Sequence, residues 1–157
     1  MTRNKPHVDG CASAWLIKRF IDKYAVFGFI TKEQEIPKSA IGFTLAKAEI
    51  NPVEGVKTTF DSLVEKYRAE DPVVLKIREI IRDYEFNEEN PERIRLKETL
   101  GLCFALKGLE KTSKDDAEAT TKAIMVMDAF YVTLKDLVTL NLLPSPRMSL
   151  TICLYSY

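Results

Sequence analysis

The chain has no net charge to steer it toward anything. Its 157 residues carry 23 Lys and Arg against 23 Asp and Glu, so no global field draws it to nucleic acid or to an anionic membrane. Long apolar runs are missing too. Nothing approaches the roughly 18 uninterrupted apolar residues of a membrane span, and the N-terminus MTRNKPHVDG lacks the apolar core of a signal peptide; the cytoplasm is the expected address. Cysteine is scarce and unpaired in pattern: Cys11, Cys103 and Cys153 lie far apart, without a CxxC pair, which excludes a disulfide framework. Histidine is scarcer still, with His7 alone, so Cys11 has no second imidazole available for a Cys/His pair. The Walker loop, GxGxxG, HExxH, GxSxG and zinc-spaced Cys/His sets are all absent, which disfavours the familiar nucleotide, hydrolase and zinc classes.

What remains is the composition of one globular domain, 46% hydrophobic and 29% charged, without internal repeats or a Gly/Ser linker. The pattern along the chain predicts a mainly α, α+β fold with a small two- or three-stranded sheet near the N-terminus. A first, central helix is expected from about Asp9 to Asp22, with Asp9 as its cap. Residues 25–30 and 40–45 are short, β-branched or aromatic, and read as two strands of one sheet. After a loop over 51–57, Phe60, Leu63, Val64 and Tyr67 stand at helical spacing behind Thr58 or Thr59. Asp71 and Pro72 open another helix with Val73, Ile77, Ile80, Ile81 and Tyr84 on its apolar face, and Asn90 and Pro91 repeat that signature for a helix ending near Gly108. A last helix from about Lys114 to Leu140 carries Ile124, Met127, Phe130, Tyr131, Leu134 and Leu137. The domain is assigned to residues 1–147, followed by an uncharged tail over 148–157 whose partial alternation suits a half-buried strand or a homo-oligomeric contact.

Polar residues set within apolar segments form a short list: His7, Asp9, Arg19, Glu49, Asp61, Arg82, Asp83, Glu85 and Asp128. His7 and Asp9, two apart in an extended stretch, could face one ion. Asp83 near the end of an apolar helix opposes the helix dipole and needs a partner, for which Arg78 one turn back is the simplest choice. Cys11 falls where a helix dipole would lower a thiol pKa, whereas Cys103 sits in an apolar run and reads as a small buried hydrophobe.

The string LysProHisValAspGlyCysAlaSerAlaTrpLeuIleLysArgPheIleAsp at residues 5–22 resembles the C-terminal chromate-responsive domain of the chromate-resistance protein B family. Val8, Asp9, Ala12 to Ile17, Arg19 to Asp22, Phe27 and Phe29 match its pattern. Weaker matches at 42–43, 48–49, 59–60, 80–83, 101–102, 108–109 and 128–131 extend the likeness over about residues 5–134. Two histidines usual in the family are missing: one would fall near Asn51 and Pro52, the other is replaced by Arg82. Gly10 stands where a basic residue is usual, and Lys57–Thr58 where a Cys often occurs.

The resemblance implies a stand-alone cytoplasmic sensor or accessory protein in chromate, oxyanion or metal stress. His7, Asp9, Glu49, Arg82 and Asp83 would form the remainder of a metal or oxyanion site, expected to share one neighbourhood, with Arg19 and Cys11 as further candidates. Arg in place of His could turn a metal site into a permanently charged anion contact. A metal-dependent redox or hydrolytic enzyme holding one Mn, Fe or Mg ion is the rival reading, since hard oxygen ligands with one His suit such ions. A degenerate partner-binding domain is the third. The family's DNA-reading region is not expected to have a counterpart here, and direct specific DNA binding is not expected: cations such as those of residues 93–97 are preceded by acids at 88–92.

Overall fold

A computed structural model describes residues 1–31, 33–45 and 48–140. The fold is mainly helical with a small sheet at the N-terminus. Strand β1 (Thr2–Arg3) leads into helix α1 (Val8–Leu16), which widens into a π-helical turn (Ile17–Ile21); strand β2 (Phe29–Ile30) follows. Helices α2 (Thr59–Tyr67) and α3 (Pro72–Glu85), a 3-10 turn (Pro91–Arg93), α4 (Lys97–Thr112) and α5 (Asp116–Thr139) complete the order.

Every one of the nine residues of α1 is buried, and α1 touches α2, α3, α4 and α5. Its sequence permits this, because Gly10, Cys11, Ala12, Ser13 and Ala14 are small enough for helices to approach from several sides, while Trp15 and Leu16 fill the centre. The core continues through Phe60, Leu63, Ile77, Ile80, Ile81, Leu106, Met127 and Leu134. Each large aliphatic side chain so buried contributes about 1.5–3 kcal/mol.

The first helix differs from its expected form at both ends. It starts at Val8, so Asp9 lies inside the first turn, and His7 takes the flanking position without a side-chain cap. At the other end Asp22 N–H donates to Ile17 C=O at 2.7 Å, the five-residue spacing of a π turn. That turn sets Arg19 and Phe20 beside Trp15. Phe20 meets the Trp15 ring edge-on at 5.3 Å, and Tyr131 of α5 packs on both. Arg19 forks onto Asp128 of α5 at 2.8 and 2.6 Å, and Trp15 Nε1 donates to the same carboxylate at 2.9 Å.

The sheet has two strands, but not the expected pair. β1 and β2 run parallel with Thr2 beside Phe29 and Arg3 beside Ile30, so the extreme N-terminus supplies the partner assigned to 40–45. Within that segment Phe43 makes a single bridge to Ile50. The first polar residues of the chain alternate in burial too weakly to announce a strand, which explains why pattern alone placed the pairing elsewhere.

The remaining helices follow their signals. Thr58 and Asp61 close a reciprocal capping box on α2. Asp71 accepts from the amides of Val73 and Val74 at 2.9 and 3.0 Å, with Pro72 in the first turn of α3. Asn90 and Pro91 start only a 3-10 turn; α4 begins later, at Lys97, just after the Arg95 and Leu96 amides that Asp83 of α3 holds, and it runs past Gly108 to Thr112. Asp115 caps α5. The tail over 148–157 lies outside the described residues.

Asp71 does double work, since Tyr131 Oη donates to its other carboxylate oxygen at 3.0 Å. Asp71→Ala should therefore destabilise the domain by about 1–2 kcal/mol, while Asp71→Asn, which keeps an acceptor at the helix start, should recover most of that. Urea denaturation of the three proteins measures it; equal midpoints would remove the cap from the account.

Candidate functional site

The N-terminus of α1, the N-terminus of α2 and the C-terminus of α3 meet at Asp9. Its carboxylate accepts from Thr59 N–H at 2.8 Å, Phe60 N–H at 2.9 Å and Ser13 Oγ at 3.3 Å. These are the first amides of α2, which lack partners within their own helix. Asp9 was expected to cap its own helix. Instead it caps another, because the earlier start of α1 turns its side chain toward α2. The Asp9 backbone N–H in turn donates to Glu85 Oε1 at 3.1 Å, from the last residue of α3.

Two acids thus share a poorly hydrated junction. Burial pushes the Asp9 carboxyl above its ordinary range, against the pull of the Phe60 and Thr59 amides. Glu85 is pushed up to about 7, first by burial and then by the charge of Asp9. Asp9 has donors on both oxygens and Glu85 accepts one. Asp9 therefore keeps the negative charge and Glu85 takes up the proton first.

The pair forms the floor of a cleft of about 380 Å³, whose walls include His7, Gly10, Arg3, Lys57, Glu54 and Glu88. His7 is exposed at its rim. Glu88 is held by Lys107 at 2.6 Å and by Tyr84 Oη at 3.1 Å, and the Lys107 bond keeps its carboxyl below the ordinary range. Lys57 is engaged by Glu65 of α2. Acids outnumber bases around the opening, so its field favours a cation over a dianion.

Of the residues singled out in sequence, His7, Asp9 and Glu85 border this cleft together; the other site candidates stand elsewhere. Glu49 is exposed and pairs with Lys66 of α2. Asp83 faces α4, where it accepts from Arg95 N–H, Leu96 N–H at 2.9 Å and Thr99 Oγ1 at 2.9 Å. The partner expected for it, Arg78, binds Asp61 and Glu65; two amides just ahead of α4, with the Thr99 hydroxyl, hold the Asp83 carboxylate instead. Arg82 binds the fully buried Asp61 at 2.9 Å and lies over the Phe86 ring. Arg19 belongs to the clamp on Asp128. The Cys11 thiol, expected to be lowered by the helix dipole, is pushed up to about 12 by burial, and its Sγ donates to Pro6 C=O. Cys103 is likewise pushed up to about 12 by burial, in keeping with a small buried hydrophobe.

Among the described residues no three His, Cys, Asp or Glu side chains converge closely enough to hold a metal ion. A tightly ligated resident metal therefore does not fit this arrangement. Glu85 stands among the polar residues of apolar segments but outside the expected site set, though a further signal for it exists. Val74, Ile77 and Ile81 form a buried stripe on α3, and Glu85 is its next position one turn on. An acid on a buried stripe is worth asking about.

A model of the family described as ChrB, C-terminal domain, matches residues 1–134. The chain belongs to that family. Protein ChrB of Cupriavidus metallidurans is 35% identical to it over 66 residues, 42% of this chain and 20% of that protein; the match thus spans about a fifth of the curated relative. No solved structure matches the chain. Membership of the ChrB family supports a role related to chromate resistance. No helix among the described residues is long and apolar enough to cross a membrane.

Glu85 gives the domain a pH dependence of known sign. Its folded pKa lies above the unfolded value of 4.5, so the native state binds the extra proton between about 4.5 and about 7, and stability falls as pH rises through that window. Glu85→Gln should remove this component. Its stability relative to the parent should grow by on the order of 2 kcal/mol from pH 4.5 to pH 8, as read by urea denaturation at four or five pH values. A parallel pair of curves would show that Glu85 titrates normally.

Proposed function

We propose that this chain is a sensor or accessory domain in chromate, oxyanion or metal stress, and that it reads its signal in the cleft floored by Asp9 and Glu85. One observation carries the reading: Glu85, poised near neutral pH, touches the backbone of α1 beside the carboxylate that caps α2. A charge arriving in the cleft changes the balance between the two acids, and that balance is tied by hydrogen bonds to three helices. A small input is thereby coupled to the seating of α1, α2 and α3, which is what a sensing domain requires.

The excess of acids makes a hydrated cation the better fit, drawn by the field of Asp9, Glu54 and, above about pH 7, Glu85, with His7 at the rim and Glu88 already held by Lys107. The chromate dianion would have only Arg3 and Lys57 on its side, and Lys57 already has a partner. Arg82, the residue that could have offered a fixed positive charge, is turned to Asp61. Direct reading of DNA is not part of this proposal: the charges are balanced, and an output to DNA would pass through another polypeptide segment.

Thermal melting at pH 8 with magnesium chloride, manganese chloride or potassium chromate as probes tests the reading. A divalent cation at millimolar concentration should raise the melting temperature of the parent, and Glu85→Gln and His7→Ala should each reduce that gain. Stabilisation by chromate alone would reverse the assignment of charge, and no shift with any of the three would end the cleft as an ion site.

A further inference from the structure

We propose that the outward face of α5 is a self-association surface, on which a second copy of this chain lays its own α5 antiparallel across a two-fold axis at Ala129. Between Lys122 and Lys135, α5 reads AIMVMDAFYVTL. Its one charge, Asp128, is taken by Arg19 and Trp15 on the α1 side. A helix apolar around its whole circumference is normally covered on every side. In α5 the inner side is covered: Ala123, Ile124, Met127 and Leu134 are buried. Among the described residues nothing covers the outer side, with Met125 at 65% and Val132 at 56% exposure and an exposed Ala129 between them.

The exposed positions have the spacing of a helix seam. Lys122, Met125, Ala129, Val132 and Asp136 follow one another by three, four, three and four residues, so they form one stripe that can meet another helix along its length. The stripe is self-complementary about Ala129. Lys122 stands seven residues before it and Asp136 seven after. An antiparallel copy centred on Ala129 therefore brings Lys122 of each chain to Asp136 of the other, twice over. Val126 and Val132 oppose each other three residues either side, and Met125 opposes Thr133. The Thr133 hydroxyl donates to Ala129 C=O within its own helix at 2.9 Å, so its methyl can face the seam without leaving a hydroxyl unpaired. Ala129 at the crossing allows close approach, and antiparallel helices align their dipoles favourably.

Among the described residues the partners of Lys122 are Glu118 at 3.2 Å and Thr112 C=O at 3.4 Å, both at the surface, so it can turn to a new carboxylate at little cost. The stripe is about 22 Å long at 1.5 Å per residue, and a single pair of helices of that length buries less than a standard interface. The association is accordingly of micromolar strength.

Sedimentation of the full chain from about 1 to about 200 µM, a range chosen to bracket a micromolar Kd, should show a monomer and dimer in exchange. Lys122→Asp alone, or Asp136→Lys alone, places like charges at both ends of the seam and should weaken the dimer roughly tenfold; the two together should restore it. Both substituted positions lie at the surface, Lys122 half-buried and Asp136 exposed, so melting temperature checks that the fold is kept. In a Cys153→Ser background, Ala129→Cys should cross-link to itself under mild oxidation. A chain that stays monomeric throughout, a dimer indifferent to the single reversals, or single reversals that the double variant does not rescue would each overturn the proposal. Indifference would place the association on another surface, the 148–157 tail included.

Discussion

Two backbone amides at the start of α2 have no partner in their own helix, and Asp9 from α1 supplies it. Much of the rest of the fold depends on that bond. It fixes the N-terminus of α2 against the buried central helix, and it makes Asp9 a charge that cannot be hydrated. It also leaves room beside that charge for Glu85 only if Glu85 gives up its own charge first. A buried carboxylate costs several kcal/mol unless hydrogen bonds compensate; three donors do so here. The site and the scaffold are consequently the same atoms. A change at the cleft cannot leave the helix junction untouched, which is the physical basis for reading it as a sensing device.

Acidic side chains carry the same duty elsewhere. Asp71 caps α3, Asp115 caps α5, Asp61 closes the box on α2 while buried between Arg78 and Arg82, and Asp83 of α3 holds the Arg95 and Leu96 amides that lead into α4. Carboxylates at helix starts satisfy orphan amides and complement the helix dipole. They are therefore spent on structure and not free for an ion. Asp83, held by the Arg95 and Leu96 amides, and Glu49, paired with Lys66, are likewise committed to contacts of the fold. Glu85 lies at a helix end, where the dipole opposes its charge, and it retains the capacity to change state.

Periodicity made the helices legible. The stripes Phe60, Leu63, Val64 and Ile77, Ile80, Ile81 announce their burial directly, and Asp71 with Pro72 marks the start of α3. The resemblance at residues 5–22 pointed to the family to which the chain belongs. What could not be read was who bonds to whom across the fold. An Asp before a helical pattern looks like a cap for that helix; that Asp9 caps α2, and that Asp83 anchors the segment leading into α4, depends on how helices distant in sequence are brought together. The strand pairing of Thr2–Arg3 with Phe29–Ile30 is of the same kind. Cys11 shows the competition of effects most plainly, since the dipole favours a thiolate but complete burial outweighs it.

Amide hydrogen exchange on Asp9→Ala measures the central claim most directly. With the carboxylate gone, the Thr59 and Phe60 amides lose their acceptor, and their exchange should accelerate by tenfold or more relative to the parent, about the 1.4 kcal/mol or more expected for a lost cap of this kind. The amides in the middle of α4 and α5 should slow or quicken only with global stability. Unchanged protection at Thr59 and Phe60 in a folded Asp9→Ala protein would contradict the account, because it would mean that α2 is held in place without the bond on which the junction is said to rest.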